Sequence, residues 1–61
     1  MFHNNYKIYQ INFNLYNIEI QYWNEYTDQV SYTNIDLDKE QMLKLVDFLT
    51  DIGFDDETPE D

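Results

Sequence analysis

Cysteine is absent from this 61-residue chain, which excludes a disulfide framework and a cysteine-ligated zinc site. Arginine is absent as well, and Lys7, Lys39 and Lys44 are the only basic residues besides His3. Three separated lysines cannot neutralise enough phosphates to hold a nucleic acid, so direct nucleic-acid binding through a basic surface is excluded. No apolar run approaches the ~18 residues of a membrane span. The N-terminus, Met1-Phe2-His3-Asn4-Asn5-Tyr6-Lys7, is polar and lacks the apolar stretch of a secretory signal. These absences predict a protein of the cytoplasm with no membrane contact. Ser31 is the only serine and His3 the only histidine, and His3 lies at a terminus. A nucleophile needs an adjacent base and a group to orient it, and the chain has no source for either, so no catalytic residue and no enzymatic activity are expected.

Acid is what the chain has in excess. Thirteen Asp and Glu stand against three Lys, a formal net charge of −10. The charge is uneven: residues 1–24 hold Lys7 and Glu19 and are neutral, whereas residues 25–61 carry the whole imbalance. High net charge with low hydrophobicity is a disorder signature. Aromatic residues nevertheless make up 18% of the chain, with six Tyr, four Phe and one Trp, which argues for a folded body. A chain this short forms one domain at most, and below about 70 residues a single core supplies only ~3–5 kcal/mol. Self-repulsion among the acids lowers that further. Dense aromatic packing or a homodimer are the two remedies.

Periodicity gives the architecture. Residues 6–13 are rich in aromatic and β-branched types and read as a strand, with Tyr9, Ile11 and Phe13 alternating most clearly and Lys7 in the same phase. Tyr16, Ile18, Ile20 and Tyr22 alternate with Asn17, Glu19, Gln21 and Trp23, a half-buried second strand whose first set forms the inner face. The turn between them falls within Asn12–Asn17, where Asn12, Asn14 or Asn17 would tolerate a left-handed backbone. Asn24–Asp28 is a hairpin loop. Gln29–Leu37 reads as a third strand whose phase slips between Val30/Tyr32 and Ile35/Leu37, which predicts a bulge or a strand end near Thr33-Asn34. A helix follows: Asp38 as N-cap, Gln41 at the third helical position, Leu37 and Met42 at the staple positions, and Met42, Leu45, Val46, Leu49 and Ile52 on one face. Gly53 is placed to close it in a left-handed conformation, with Phe54 folding back. The expected fold class is therefore α+β: a three-stranded antiparallel meander followed by one C-terminal helix, within residues 1–54. Residues 55–61, with five acids, are expected to be a flexible tail.

Few chemistries are open to such a chain. Asp36-Leu37-Asp38-Lys39-Glu40 has the first three acids of a calcium loop, but Gln41 stands where glycine is needed and Asp47 where the bidentate glutamate is needed. Asp38 reads better as a cap, and no metal or other cofactor is expected. Paired carboxylates for glycoside chemistry need a cleft of about 300 Å³ or more, which a domain this small has little room to build.

The acids break local rules in one direction. Glu40, Lys44, Asp47 and Asp51 share the helix face opposite the apolar stripe; Glu40–Lys44 is a favourable pair and Asp47–Asp51 an unfavourable one. Asp51 and the acids that follow sit where the helix dipole repels anions, and such breaks tend to mark function. A solubilising surface is the plain reading. The functional reading is that Glu40, Asp47, Asp51, Asp55, Asp56 and Glu57 stand in for phosphates, since acids one helical turn apart are about 5–6 Å apart. Trp23, in the polar phase of its strand, with Glu25, Tyr26 and Asp28 in the hairpin loop, forms a second candidate patch: aromatic anchors rimmed by charge. Trp23 covering a sheet edge, or a second face in a dimer, is the alternative.

In size, acidity and layout the whole chain resembles the small phage-encoded inhibitors of bacterial immunity, the anti-CRISPR proteins and related DNA mimics. That group shares no common fold and no site to carry over residue by residue. The resemblance implies a stoichiometric protein that acts in the bacterial cytoplasm on a basic nucleic-acid-binding host protein, a CRISPR effector nuclease in the sharpest form. The other expectation is a small homodimeric assembly module whose acids only keep it soluble.

Overall fold

The computed structural model describes residues 2–60; Met1 of the N-terminal stretch and Asp61 of the tail lie outside them. Four strands and one helix follow in the order β1 (Asn5–Asn12), β2 (Leu15–Asn24), β3 (Gln29–Leu37), α1 (Lys39–Asp51) and β4 (Asp55–Asp56). The sheet order is β3-β2-β1-β4. The first three strands form the expected antiparallel meander. The fourth is an addition: Asp55 and Asp56 pair in parallel with Asn5 and Tyr6. The connection from β3 through α1 to β4 therefore crosses the whole sheet, from one edge to the other.

β4 is held by position, since aspartate is a poor strand former. The Asp55 N–H donates to the Asn4 carbonyl (3.0 Å) and the Glu57 N–H to the Tyr6 carbonyl (2.9 Å). The Ile8 N–H donates to Thr58 Oγ1 (3.0 Å), which continues the same edge beyond the strand.

The core lies between α1 and one face of the sheet. Tyr6, Ile18, Met42 and Leu49 are buried, Ile18 completely. Ile8, Tyr16, Ile20, Leu37, Leu45, Val46 and Phe54 pack around them half-buried. Ile18 lies between Ile8 and Ile35 across the sheet. This pairing fixes which phase of β1 faces inward. It is Tyr6 and Ile8, so the most regular alternation in β1, Tyr9 and Ile11, lies on the opposite, uncovered face.

The register shift also lies elsewhere than expected. β3 pairs with β2 without interruption from Asn24↔Gln29 to Tyr16↔Leu37, with no bulge at Thr33-Asn34. Its mixed phase has another cause: Val30 and Tyr32 lie on the uncovered face, Ile35 and Leu37 on the helix side. The irregularity is in β1, where the pairing shifts between Gln10 and Asn12. The turn is Phe13-Asn14, and no asparagine in it takes a positive φ. Asn12 contributes its side chain instead, Oδ1 accepting from the Asn14 N–H (3.0 Å).

The helix boundaries follow local chemistry. Asp38 Oδ1 accepts from the Gln41 N–H at 2.8 Å. At the other end Ile52 is the C-cap, Gly53 takes φ +96°, its N–H donates to Thr50 O, and the Phe54 N–H donates to Leu49 O. That pair of bonds is the Schellman closure, and it turns Phe54 back onto the core. Ile52, expected on the buried stripe, is instead 52% exposed. It is the C-cap, beyond the last helical residue and at the margin of the stripe.

Candidate protein-binding surfaces

The candidate acids divide by element. Glu40, Asp47 and Asp51 are exposed on the outer face of α1, away from the sheet. Lys44 shares that face and pairs with Glu40 (Nζ to Oε1, 3.5 Å), the one ion pair among the described residues. Among the described residues Asp47 and Asp51 have no such partner, and the last helical turn carries no basic residue. An exposed i,i+4 pair like Glu40–Lys44 contributes a few tenths of a kcal/mol. The C-terminal half of the face thus stays strongly negative.

Asp55, Asp56 and Glu57 lie along the β1 edge of the sheet. Side chains alternate across a strand, and Asp55 is level with Asn5 and Asp56 with Tyr6. Asp56 therefore lies on the helix side, while Asp55 and Glu57 lie on the uncovered side. Asp56 Oδ1 also accepts from the Thr58 N–H at 2.9 Å, which shapes the turn after β4. The six acids make a band that runs from the top of the helix over the Gly53 turn to the sheet edge, broader than one helical stripe.

The second patch sits at the end of the sheet where the helix finishes. Trp23 is 43% exposed on the uncovered face, with Val30 opposite it and Tyr32 on the diagonal. Its backbone N–H donates to Asn4 Oδ1 (2.9 Å). Phe2, His3, Asn4, Trp23 and Gly53 line an open cleft of about 550 Å³. This cleft brings Trp23 next to the helix terminus, so the aromatic patch and the acidic band meet there. Tyr26 is fully exposed at the hairpin tip, between exposed Glu25 and Asp28. Asp28 has a conformational task of its own, with φ +56° closing the hairpin. Asn24 supports the same turn, its Oδ1 accepting from the Tyr26 N–H at 2.9 Å.

The acids of the calcium-like run are otherwise engaged. Asp38 caps α1, and Asp36 Oδ1 accepts from Asn17 Nδ2 at 2.8 Å. Among the described residues no three His, Asp or Glu gather at metal-binding distance. No helix among them is long and apolar enough to cross a membrane.

Sequence reasoning touched the uncovered sheet face only through Trp23, as a second face in a dimer, and passed over its other apolar residues. Tyr9, Ile11, Trp23, Val30 and Tyr32 all lie on it, and all of these but the half-buried Val30 are exposed. The available signal was that β1 and β3 carry apolar residues in both phases, which a sheet covered on one side does not need. No protein-family model, curated protein or solved structure matches the chain.

Proposed function

We propose that this chain is a non-enzymatic acidic protein that binds and inhibits a basic nucleic-acid-binding protein by occupying its nucleic-acid groove. The single observation behind the reading is the uncompensated charge at the helix C-terminus. Asp47 and Asp51 lack a cation there, and Asp55, Asp56 and Glu57 follow directly. A sequence selected for stability alone places Lys or Arg at that end. Carboxylates about 5–6 Å apart on a helix match the charge spacing of a phosphate backbone, and complementary potentials speed the encounter. In its sharpest form the proposal is an anti-CRISPR protein of phage origin that acts on an RNA-guided nuclease in the bacterial cytoplasm. Trp23 and Tyr26 supply aromatic anchors beside the band, rimmed by Glu25 and Asp28.

The test is capture of partners from bacterial lysate on the tagged protein, eluted with a salt ramp. The expected result is a nucleic-acid-processing protein released at moderate salt and displaced by DNA. Asp47→Lys with Asp51→Lys removes that capture while the fold persists. Undiminished capture by this double variant refutes the role of the helix face. The second reading, an assembly module whose acids give only solubility, is favoured by the free edge of β3 and predicts no salt-sensitive partner.

A further inference from the structure

β3 ends the sheet, and among the described residues nothing pairs with its outer side. The backbone direction along that side follows from the opposite edge. Asn4 O and Tyr6 O accept from the β4 segment and the Ile8 N–H donates to it, so the even-numbered residues of β1 turn their backbone groups toward β4. Hydrogen-bonding direction alternates along antiparallel strands. Lys7↔Glu19 and Tyr9↔Asn17 are therefore the bonded β1–β2 pairs, and Ile20↔Thr33 and Ile18↔Ile35 the bonded β2–β3 pairs. Val30, Tyr32, Asn34 and Asp36 thus direct their N–H and C=O groups outward, along an edge roughly 30 Å long.

Natural edge strands are guarded by lysine, proline, bulges or short length. β3 has none of these: it is nine residues long, in unbroken register, and without proline or lysine. Its one charge, Asp36, is drawn back over β2 by Asn17. Each of the three long strands holds a single charged residue, and β3 is the one of them whose outer edge is unpaired among the described residues.

The core is open on the same side. Thr50 Oγ1 meets the Tyr6 hydroxyl at 3.2 Å, which sets that flank of α1 over β1. At 100° per residue, Phe48 and Ile52 fall on the opposite flank, toward β3. They are 57% and 52% exposed, and Ile35 on the helix side of β3 is only partly covered.

We infer that two copies of this chain join β3 to β3 in antiparallel fashion about a two-fold axis, making one continuous eight-stranded sheet. The occupant is a second copy because of charge and symmetry. Adding β3 to the other edge of a neighbour would set it against Asp55, Asp56 and Glu57 and would propagate into an open filament, whereas the β3–β3 contact closes. The register that overlaps all nine residues centres on Thr33. It places Tyr32 opposite Asn34 and Val30 opposite Asp36, with no acid facing an acid. Each copy then extends the floor beneath the partner's exposed Phe48 and Ile52.

Sedimentation from low micromolar to millimolar concentration tests this with two edge variants. Asn34→Pro removes an outward N–H and no bond to β2. Tyr32→Lys with Asn34→Lys sets lysines against lysines across the axis. The expected result is a species of twice the chain mass whose association tightens with salt, and monomers for both variants with unchanged far-UV circular dichroism. If Asn34→Pro unfolds, the lysine pair decides alone. A wild-type monomer at millimolar concentration in high salt overturns the inference, and so does a dimer that survives the lysine pair. The outcome is independent of the groove-occupying role, which is read from partner capture.

Discussion

Replacing Asp51 with lysine is expected to raise stability and lower partner binding at once. In the wild type Asp51 repels Asp47 one turn before it, which costs ~0.2–0.5 kcal/mol. It also lies in the last turn, where a carboxylate opposes the helix dipole and a cation favours it by ~0.3–1 kcal/mol. Asp51→Lys removes the repulsion, creates an acid-then-lysine pair with Asp47 in the favourable order, and reverses the dipole term. The three add to about 1 kcal/mol, and in a domain of this size ~1 kcal/mol moves the midpoint by roughly 4–8 °C. Asp51 is exposed, so the gain must shrink as salt rises. Thermal melting followed by far-UV circular dichroism, at low and high ionic strength, reads both quantities. An unchanged or lower midpoint at low salt refutes the electrostatic account of this helix end, as does a gain that ignores salt. A stabilised variant that binds its partner less well separates the acid's functional role from its cost to the fold.

Three further substitutions test the rest of the framework. Gly53→Ala meets no atom within 4 Å, so its cost is backbone conformation alone; a left-handed penalty of ~1–2 kcal/mol, less ~0.4–1 kcal/mol gained from a stiffer unfolded chain, lowers the unfolding free energy by about 1 kcal/mol, read as a lower urea midpoint at unchanged slope, and an unchanged midpoint contradicts the Schellman closure. Ile18→Ala empties the one fully buried side chain and costs ~2–5 kcal/mol, enough to leave a large unfolded fraction in the Trp23 fluorescence transition. Thr58→Val deprives the Ile8 N–H of its acceptor; faster hydrogen exchange at the Asp55 and Glu57 amides, with α1 unaffected, is the expected signature, and unchanged exchange shows that β4 is held by its two backbone bonds without Thr58.

What was legible in the sequence was local. Asp38, the Met42–Leu49 stripe, Gly53 and Phe54 specify α1 through contacts a few residues apart, and the structure places each where the spacing indicates. The second hairpin was legible because polar turn residues interrupt the alternation; in the first, Phe13 continues the alternation of the strand before it and yet lies in the turn with Asn14. β4 was not, since Asp55-Asp56 has no strand signal and is placed by carbonyls some fifty positions earlier in the chain. The inward phase of β1 was hidden for a related reason: Tyr9 and Ile11 alternate as well as Tyr6 and Ile8, and only the pairing of Ile8 with Ile18 decides between them. β3 suggested a bulge because its apolar residues change face along its length. In the structure each face is apolar at a different end, Val30 and Tyr32 on the uncovered face and Ile35 and Leu37 on the helix side. The acidic surface was legible as charge, but its division between the helix face and the sheet edge depends on β4.

The two edges of the sheet are treated in opposite ways, and this bears on how the acids are displayed. The β1 edge is closed by a two-residue strand and lined with Asp55, Asp56 and Glu57, while the β3 edge is long and nearly uncharged. A two-fold axis through an antiparallel β3–β3 contact stands perpendicular to the sheet, so both helices lie on the same face of the joined sheet. Both outer faces, each with Glu40, Asp47 and Asp51, then point the same way, and the acidic edges fall at the two far ends. Salt must act on the two contacts with opposite sign. Screening relieves repulsion between two chains of net charge −10 and tightens β3–β3 pairing; the same screening weakens attraction to a basic groove. A salt ramp applied to the captured complex should therefore release the partner and leave the dimer intact. Joint release of partner and dimer at one salt concentration would mean that the edge contact is itself electrostatic, contrary to the nearly uncharged, self-complementary register drawn from β3.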